Sequence, residues 1–274
     1  MIDTKLNTYY IAINMDDIEL NGLINEFCNL DGIQAIVLGG SQISKHSDNK
    51  SDYDLYIYTE KIIDQNIRNK ILSRYCEKLE IGNSYWELED NGILIGGICF
   101  DIIYRNLQQF IKIIADVVEN CNASNGFTTC LWHNILNSTI IYDKDDMFKN
   151  VKERFSVPFP EKLKENIIKR NMALLSDSLV SYDKQISKSV YRKDIININN
   201  RVSAFLASYY DIIFAINELP HPGEKRLMEI CLNECKLLPN NFEINVNNIL
   251  QNINSISEMD KSINNIINEL KEII

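Results

Sequence analysis

Hydrophobic and polar positions alternate along the first half of the chain in two different periods. Residues 17–30 carry apolar side chains at helical spacing, and residues 33–38 form a short apolar run that reads as a buried strand. Gly39, Gly40 and Ser41 end that strand, and a polar stretch over 42–51 leads to a second strand over 53–58. Positions 63–79 read as one amphipathic helix. Gly96 and Gly97 precede a third strand over 98–104, and 107–118 returns to helical spacing. Trp132 and His133 fall on a short helix ahead of a strand at 140–142, where packing is the better account of both. Strands alternating with helices predict an α/β (α+β) domain built on a small mixed sheet.

The pattern breaks at Val157-Pro158-Phe159-Pro160, because the residue before a proline is pushed out of helical geometry and proline suits a helix start. The domain boundary is expected near Ser156, giving domains 1–156 and 157–274. Beyond it helical spacing runs over 161–192, 195–217, 224–237 and 259–274, which predicts an all-α helical bundle. In the 195–217 segment, Ile198, Val202, Phe205, Tyr209, Ile212 and Ile216 make one apolar stripe. Arg201, Ala204, Ser208, Asp211 and Ala215 make a narrow second stripe of small and charged residues. Solvated faces carry Lys and Glu more often than Ala and Ser, so a cleft-facing stripe is the preferred reading, with an outer-surface face as the alternative. Arg201 would then point toward phosphate or base, and Ser208 and Asp211 toward an acceptor.

Composition narrows the options. With 274 residues, 45% of them hydrophobic and 24% charged, the chain suits a soluble protein of two domains. A net charge of −10 and no visible basic stripe argue against nucleic acid as a partner. No apolar run approaches the ~20 residues of a membrane span, so no membrane partner is expected. The first residues lack the basic-then-apolar layout of a secretory signal, and a cytoplasmic location is expected. Seven cysteines, an odd number scattered through predicted elements, do not form a disulfide framework. Cys231 and Cys235 lack a second pair that would complete a zinc site, and read as core packing.

Three features of the first domain belong together. Gly40-Ser41 closes one strand, Asp52-Tyr53-Asp54 begins the next, and Asp101 sits in a third between Phe100 and Ile102. Side chains alternate along a strand, so Asp52 and Asp54 share a face at roughly 6–7 Å between Cα atoms. If the Asp101 strand lies beside theirs, three carboxylates converge and a divalent metal would relieve their repulsion. A strand-end glycine lets backbone approach a phosphate, and free N–H groups beyond it bind the phosphate oxygens.

At these residues the sequence resembles the DNA polymerase β-type nucleotidyltransferase superfamily, with its Gly-Gly/Ser, spacer, Asp-x-Asp and later third carboxylate. The resemblance implies that Asp52, Asp54 and Asp101 bind two Mg²⁺ ions and are catalytic, Asp101 also helping to deprotonate the acceptor hydroxyl. It implies that Gly39, Gly40 and Ser41 hold the triphosphate of an NTP, most simply ATP. Many relatives carry a second glycine four positions after the serine; here that position is Lys45, whose ammonium would reach the phosphates. The layout also looks like aminoglycoside and lincosamide nucleotidyltransferases, which join this fold to a helical domain, and an active site between the domains is expected. The acceptor implied is the hydroxyl of a small molecule, and the acidic surface suits a cationic, aminoglycoside-like one. Trp132-His133-Asn134, Asn200-Arg201-Val202-Ser203-Ala204-Phe205 and His221-Pro222-Gly223-Glu224-Lys225-Arg226 resemble a bacterial family whose helical region has no assigned function. Lys225 and Arg226, at a turn before a helix, are further candidates for the triphosphate. Two alternatives remain open: an enzyme that transfers AMP to a protein side chain, like the antitoxin members of the superfamily, or a nucleotide-binding module without chemistry.

Overall fold

A computed structural model describes residues 18–39, 52–254 and 256–274 of the chain. The described residues divide into two compact units: one holds the chain up to Ile114 together with Asn134–Ser156, the other Ala115–His133 and Val157–Ile274. The division therefore differs from a single cut at 156, because residues 115–133 count with the second unit.

The first unit is a six-stranded mixed sheet. Its strands are β1 (Ile33–Gly39), β2 (Tyr53–Thr59), β3 (Cys76–Asn83), β4 (Glu89–Leu94), β5 (Cys99–Asn106) and β6 (Thr139–Asp143), in the spatial order β3-β4-β5-β2-β1-β6. Only the central β2–β5 pair is parallel; every other neighbour is antiparallel. Alternation sorts the strand residues by face. Tyr53, Leu55 and Ile57 of β2, with Phe100, Ile102 and Tyr104 of β5, join a buried cluster with helix α1 (Ile18–Cys28) and helix α2 (Gln65–Leu72). That face is the oily core of the unit. Asp54, Tyr56 and Tyr58 of β2 and Asp101, Ile103 and Arg105 of β5 occupy the opposite face.

One ion pair crosses the apolar side. Arg68 of α2 lies 2.7 Å from Asp90 of β4, at 3% and 0% exposure. Asp90 also accepts hydrogen bonds from Gly82 N–H at 2.8 Å and the Tyr104 hydroxyl at 2.9 Å. A buried pair of this kind contributes little net stability, but removing one partner leaves a buried charge and typically costs about 3–5 kcal/mol. It locks α2 to the sheet in one register.

The expected helix over 63–79 is corrected: α2 ends at Leu72, capped by Ser73, and the chain turns into strand β3. Helix α3 (Leu107–Val118) coincides with its predicted span, and helix α4 (Cys130–Asn137) precedes β6 as expected. Helix α5 (Met147–Phe155) follows β6.

The second unit is helical. Helix α6 (Glu161–Met172) passes into a π-helical turn at Ala173–Asp177, and helix α7 (Tyr182–Arg192) follows. The predicted single helix over 161–192 is thus two helices joined by a turn. Next come α8 (Ile195–Ile216), α9 (Leu227–Glu234), α10 (Phe242–Gln251) and α11 (Ile256–Lys271). Helix α9 starts at Leu227 and not at 224, because Glu224 to Arg226 form a bend and turn; α10 was not anticipated. The core is built around α8, whose Ile198, Val202, Phe205, Tyr209 and Ile212 are all buried. Among the described residues no helix is long and apolar enough to cross a membrane.

The C-terminal part of the α8 stripe, Ser208, Asp211 and Ala215, is buried, and the neighbouring Ala207 is approached by another segment. Gly126, with φ +82°, approaches so closely that an added Cβ would lie 3.0 Å from Ala207. One turn on, Asp211 is 1% exposed and accepts from Thr128 N–H at 3.0 Å, Thr128 Oγ1–H at 2.6 Å and Asn171 Nδ2–H at 3.0 Å. Asn171 Oδ1 in turn accepts from Gly126 N–H at 3.1 Å. Asp211 therefore clamps the 124–128 segment onto α6 and α8, and its carboxylate is committed to that network.

Burial pushes the Asp211 carboxyl up to about 6, against the opposing pull of Thr128 and Asn171. Its unfolded counterpart titrates near ~3.9, so the native state favours the protonated form. The stability this group contributes is complete below about pH 4, falls as pH rises toward about 6, and is constant above that. Chemical unfolding of the wild type and Asp211→Asn across pH 4–7 should show the wild type losing up to roughly 3 kcal/mol more than the variant over this window. Parallel pH profiles would contradict the assignment.

Candidate active site

The polar face of the sheet carries the candidate chemistry. In the parallel β2–β5 ladder Asp54 pairs with Asp101, so the two side chains stand on adjacent strands at the same level and on one face. On the other side of β2, Asp54 is opposite Gly39, the last residue of β1. On the other side of β5, Asp101 is opposite Asn91 of β4. One row across four strands thus reads Gly39, Asp54, Asp101, Asn91.

Neighbouring strands lie about 4.8 Å apart. Two ionised carboxylates at that separation repel by on the order of 3 kcal/mol at an effective dielectric of about 20. Asn91 moderates this from one side, donating from Nδ2 to Asp101 Oδ1 at 2.7 Å. Both side chains carry hard carboxylate oxygens, the ligand type that Mg²⁺ takes. The pair fits a divalent cation on that chemistry.

Asp52 stands differently. It precedes β2, outside the ladder, and is exposed. Among the described residues no three His, Cys, Asp or Glu side chains are gathered closely enough to hold a metal ion, so the expected three-carboxylate cluster is not formed here. The structure brings together Asp54 and Asp101 and leaves Asp52 at the strand's edge. Gly40, Ser41 and Lys45 lie outside the described residues.

Tyr56, two residues beyond Asp54 on the same face, was not anticipated. A Cβ added at Gly39 would lie 2.6 Å from Tyr56 Cε2 and 3.3 Å from Asn134 Nδ2. Glycine is therefore needed at the end of β1 for the Tyr56 ring to keep its place. The Arg105 guanidinium sits 4.5 Å from the centre of that ring and 4.8 Å from that of Phe110. Arg105 is fixed by a two-pronged pair with Glu87, at 2.8 Å and 2.6 Å. Burial raises the Tyr56 hydroxyl above its usual value, with the nearby Arg105 charge pulling the other way. An apolar–polar pattern alone could not reveal this stack, since Tyr56 and Arg105 read as ordinary outward-facing strand residues.

The second-unit candidates are spread out. Ser208 and Asp211 are buried, and the network around Asp211 corrects its expected acceptor-facing role. Arg201 is half-buried, with its Nε buried and unpartnered. Lys225 is exposed in the turn before α9. His221 is buried between Phe127 and Phe214, with ring centroids at 5.0 and 4.8 Å. Burial and the neighbouring His133 push His221 down to about 3, so it is neutral at physiological pH. Trp132 is buried against Phe159, 5.4 Å between centroids.

No protein-family model matches the chain, and no curated protein matches it. Among solved structures it is similar to a nucleotidyltransferase-like protein from Exiguobacterium sibiricum 255-15, at 11% identity and TM-score 0.46, over 94% of this chain and 73% of that one. An aminoglycoside 6-adenyltransferase from Bacillus subtilis aligns at 8% identity and TM-score 0.28, over 93% and 91% of the two chains. A CCA-adding enzyme from Thermotoga maritima, complexed with tRNA, aligns at 11% identity and TM-score 0.27, over 88% and 70%. At these scores the likenesses carry no argument about activity, and the chain's own residues must carry it.

The Gly39–Tyr56 contact gives a direct test. Gly39→Ala should destabilise the protein by about 1–3 kcal/mol, because the Tyr56 ring has to leave its place. Combining it with Tyr56→Val should recover part of that loss. Urea unfolding of the two single variants and the double variant measures the coupling; strictly additive losses would show that the contact is not the cause.

Proposed function

We propose that this chain is a metal-dependent nucleotidyltransferase that moves a nucleoside monophosphate from an NTP to a hydroxyl of a small-molecule acceptor. One observation carries the reading: Asp54 and Asp101 are register partners in a parallel strand pair, level with the glycine that ends β1. Bound Mg²⁺, two ions in this reading, would supply the positive charge that offsets the triphosphate and the departing pyrophosphate.

The chain's own residues do the rest. Asp54 and Asp101 would hold the cations, with Asp52 proposed as a further ligand from the edge of β2. Asp101 takes up the proton of the acceptor hydroxyl. Backbone N–H groups after Gly39, at Gly40 and Ser41, meet the phosphate oxygens, with the Ser41 hydroxyl as a further donor. Lys45 adds a cation at the phosphates. Arg201, whose Nε is buried without a hydrogen-bond partner, and Lys225, exposed before α9, are further proposals for substrate contacts. ATP is the proposed co-substrate. A net charge of −10 favours a cationic acceptor of the aminoglycoside kind over a polyanion.

Pyrophosphate release should be detected when ATP, Mg²⁺ and a panel of hydroxylated acceptors are supplied. Asp54→Asn and Asp101→Asn should each reduce it about a hundredfold or more, with urea midpoints no lower than that of the wild type, since each removes one of two repelling charges. Turnover that survives both substitutions would overturn the reading.

A further inference from the structure

The row of side chains that contains Asp54 and Asp101 continues into the β3–β4 hairpin, and there each polar group has an assigned partner. Asp101 is a carboxylate and can only accept, so the Asn91 group facing it at 2.7 Å is the Nδ2 donor. Asn91 Oδ1 then points away and accepts from Asn83 Nδ2 at 3.2 Å. The second Asn83 hydrogen goes to Glu89 Oε1 at 2.9 Å. Asn83 Oδ1 accepts the backbone N–H of Tyr85 at 3.1 Å, in the hairpin turn. Neither amide can flip without losing hydrogen bonds on both sides.

From this chain of contacts we infer that Asn91 is a positioning residue for Asp101, held in place by Asn83. The relay runs from the turn backbone through Asn83 and Asn91 to one oxygen of Asp101. It fixes the side-chain torsion of that carboxylate and turns its other oxygen toward Asp54 and the proposed cation. Second-layer partners of this kind orient metal ligands, and their loss typically weakens metal affinity by about 10–100-fold. The inference rests on the proposed role of Asp101 as a metal ligand.

The test is Mn²⁺ binding to the full chain, followed by the free-ion electron paramagnetic resonance signal, with no nucleotide present. Asn91→Leu keeps the approximate volume and removes the donor; it should weaken Mn²⁺ about tenfold or more. Asn83→Ala leaves Asn91 in place but frees its amide to rotate, and should weaken binding in the same direction by about threefold. Urea unfolding in chelator separates this from a structural role: a purely structural relay would lower the midpoint and leave Mn²⁺ affinity unchanged. If Asn91→Leu fails to fold, Asn83→Ala decides alone. Asp101→Asn serves as the reference. If it loses Mn²⁺ while both asparagine variants bind like the wild type, the relay is refuted and the metal reading stands. If the wild type binds no Mn²⁺, or Asp101→Asn binds as well as it does, the metal reading fails and the relay falls with it.

Discussion

Everything proposed for the sheet depends on the parallel pairing of β2 with β5. It is the one pairing that sets Asp54 directly beside Asp101, and it concentrates two like charges that ordinary packing would keep apart. Parallel neighbours require a crossover, and here the crossover contains α2, β3 and β4. That excursion also serves the pair it creates. The Arg68–Asp90 bond pins α2 to β4, and the next residue along β4 is Asn91, which donates to Asp101. Because successive strand residues face opposite sides, Asp90 secures the apolar core while Asn91 serves the polar face.

The polar face is rigid for reasons of its own. Tyr56 packs close to Gly39 and under the guanidinium of Arg105, and Arg105 is held by Glu87. The end of β1 is therefore fixed just where the chain leaves for the expected phosphate-binding loop. An active site of this type needs its groups held to within a fraction of an ångström before substrate arrives, and stacked aromatic and ion-paired contacts supply that order.

Much of this was legible in the sequence. The strands carrying Gly39, Asp54 and Asp101 and the helix after the third were placed within two residues, because apolar runs bounded by glycine and polar stretches leave little choice. Strand β3 was misread as helix for a physical reason. Leu72, Cys76 and Leu79 follow one another at the four- and three-residue intervals of a helix, which carries the helical reading past the end of α2 and into β3. The hairpin was missed with it, and so was Asn91, whose role exists only once β4 lies beside β5. The α8 stripe failed differently. The stripe reads as cleft-facing because it is small and polar; its Asp211 instead accepts hydrogen bonds from Thr128 in the 124–128 segment of the same chain. A small-residue stripe looks the same in either case.

The burial of Asp211 moves the question of the acceptor back to the carboxylate row, where the chemistry of transfer would occur. The most direct measurement is crystallographic. Crystals of the full chain grown with Mn²⁺ and a non-hydrolysable ATP analogue should give an anomalous peak bounded by oxygens of Asp54 and Asp101 within about 2.3 Å, with the triphosphate reaching it from the Gly39 end of β1. Manganese bound elsewhere, with both carboxylates outside its coordination sphere, would contradict the account.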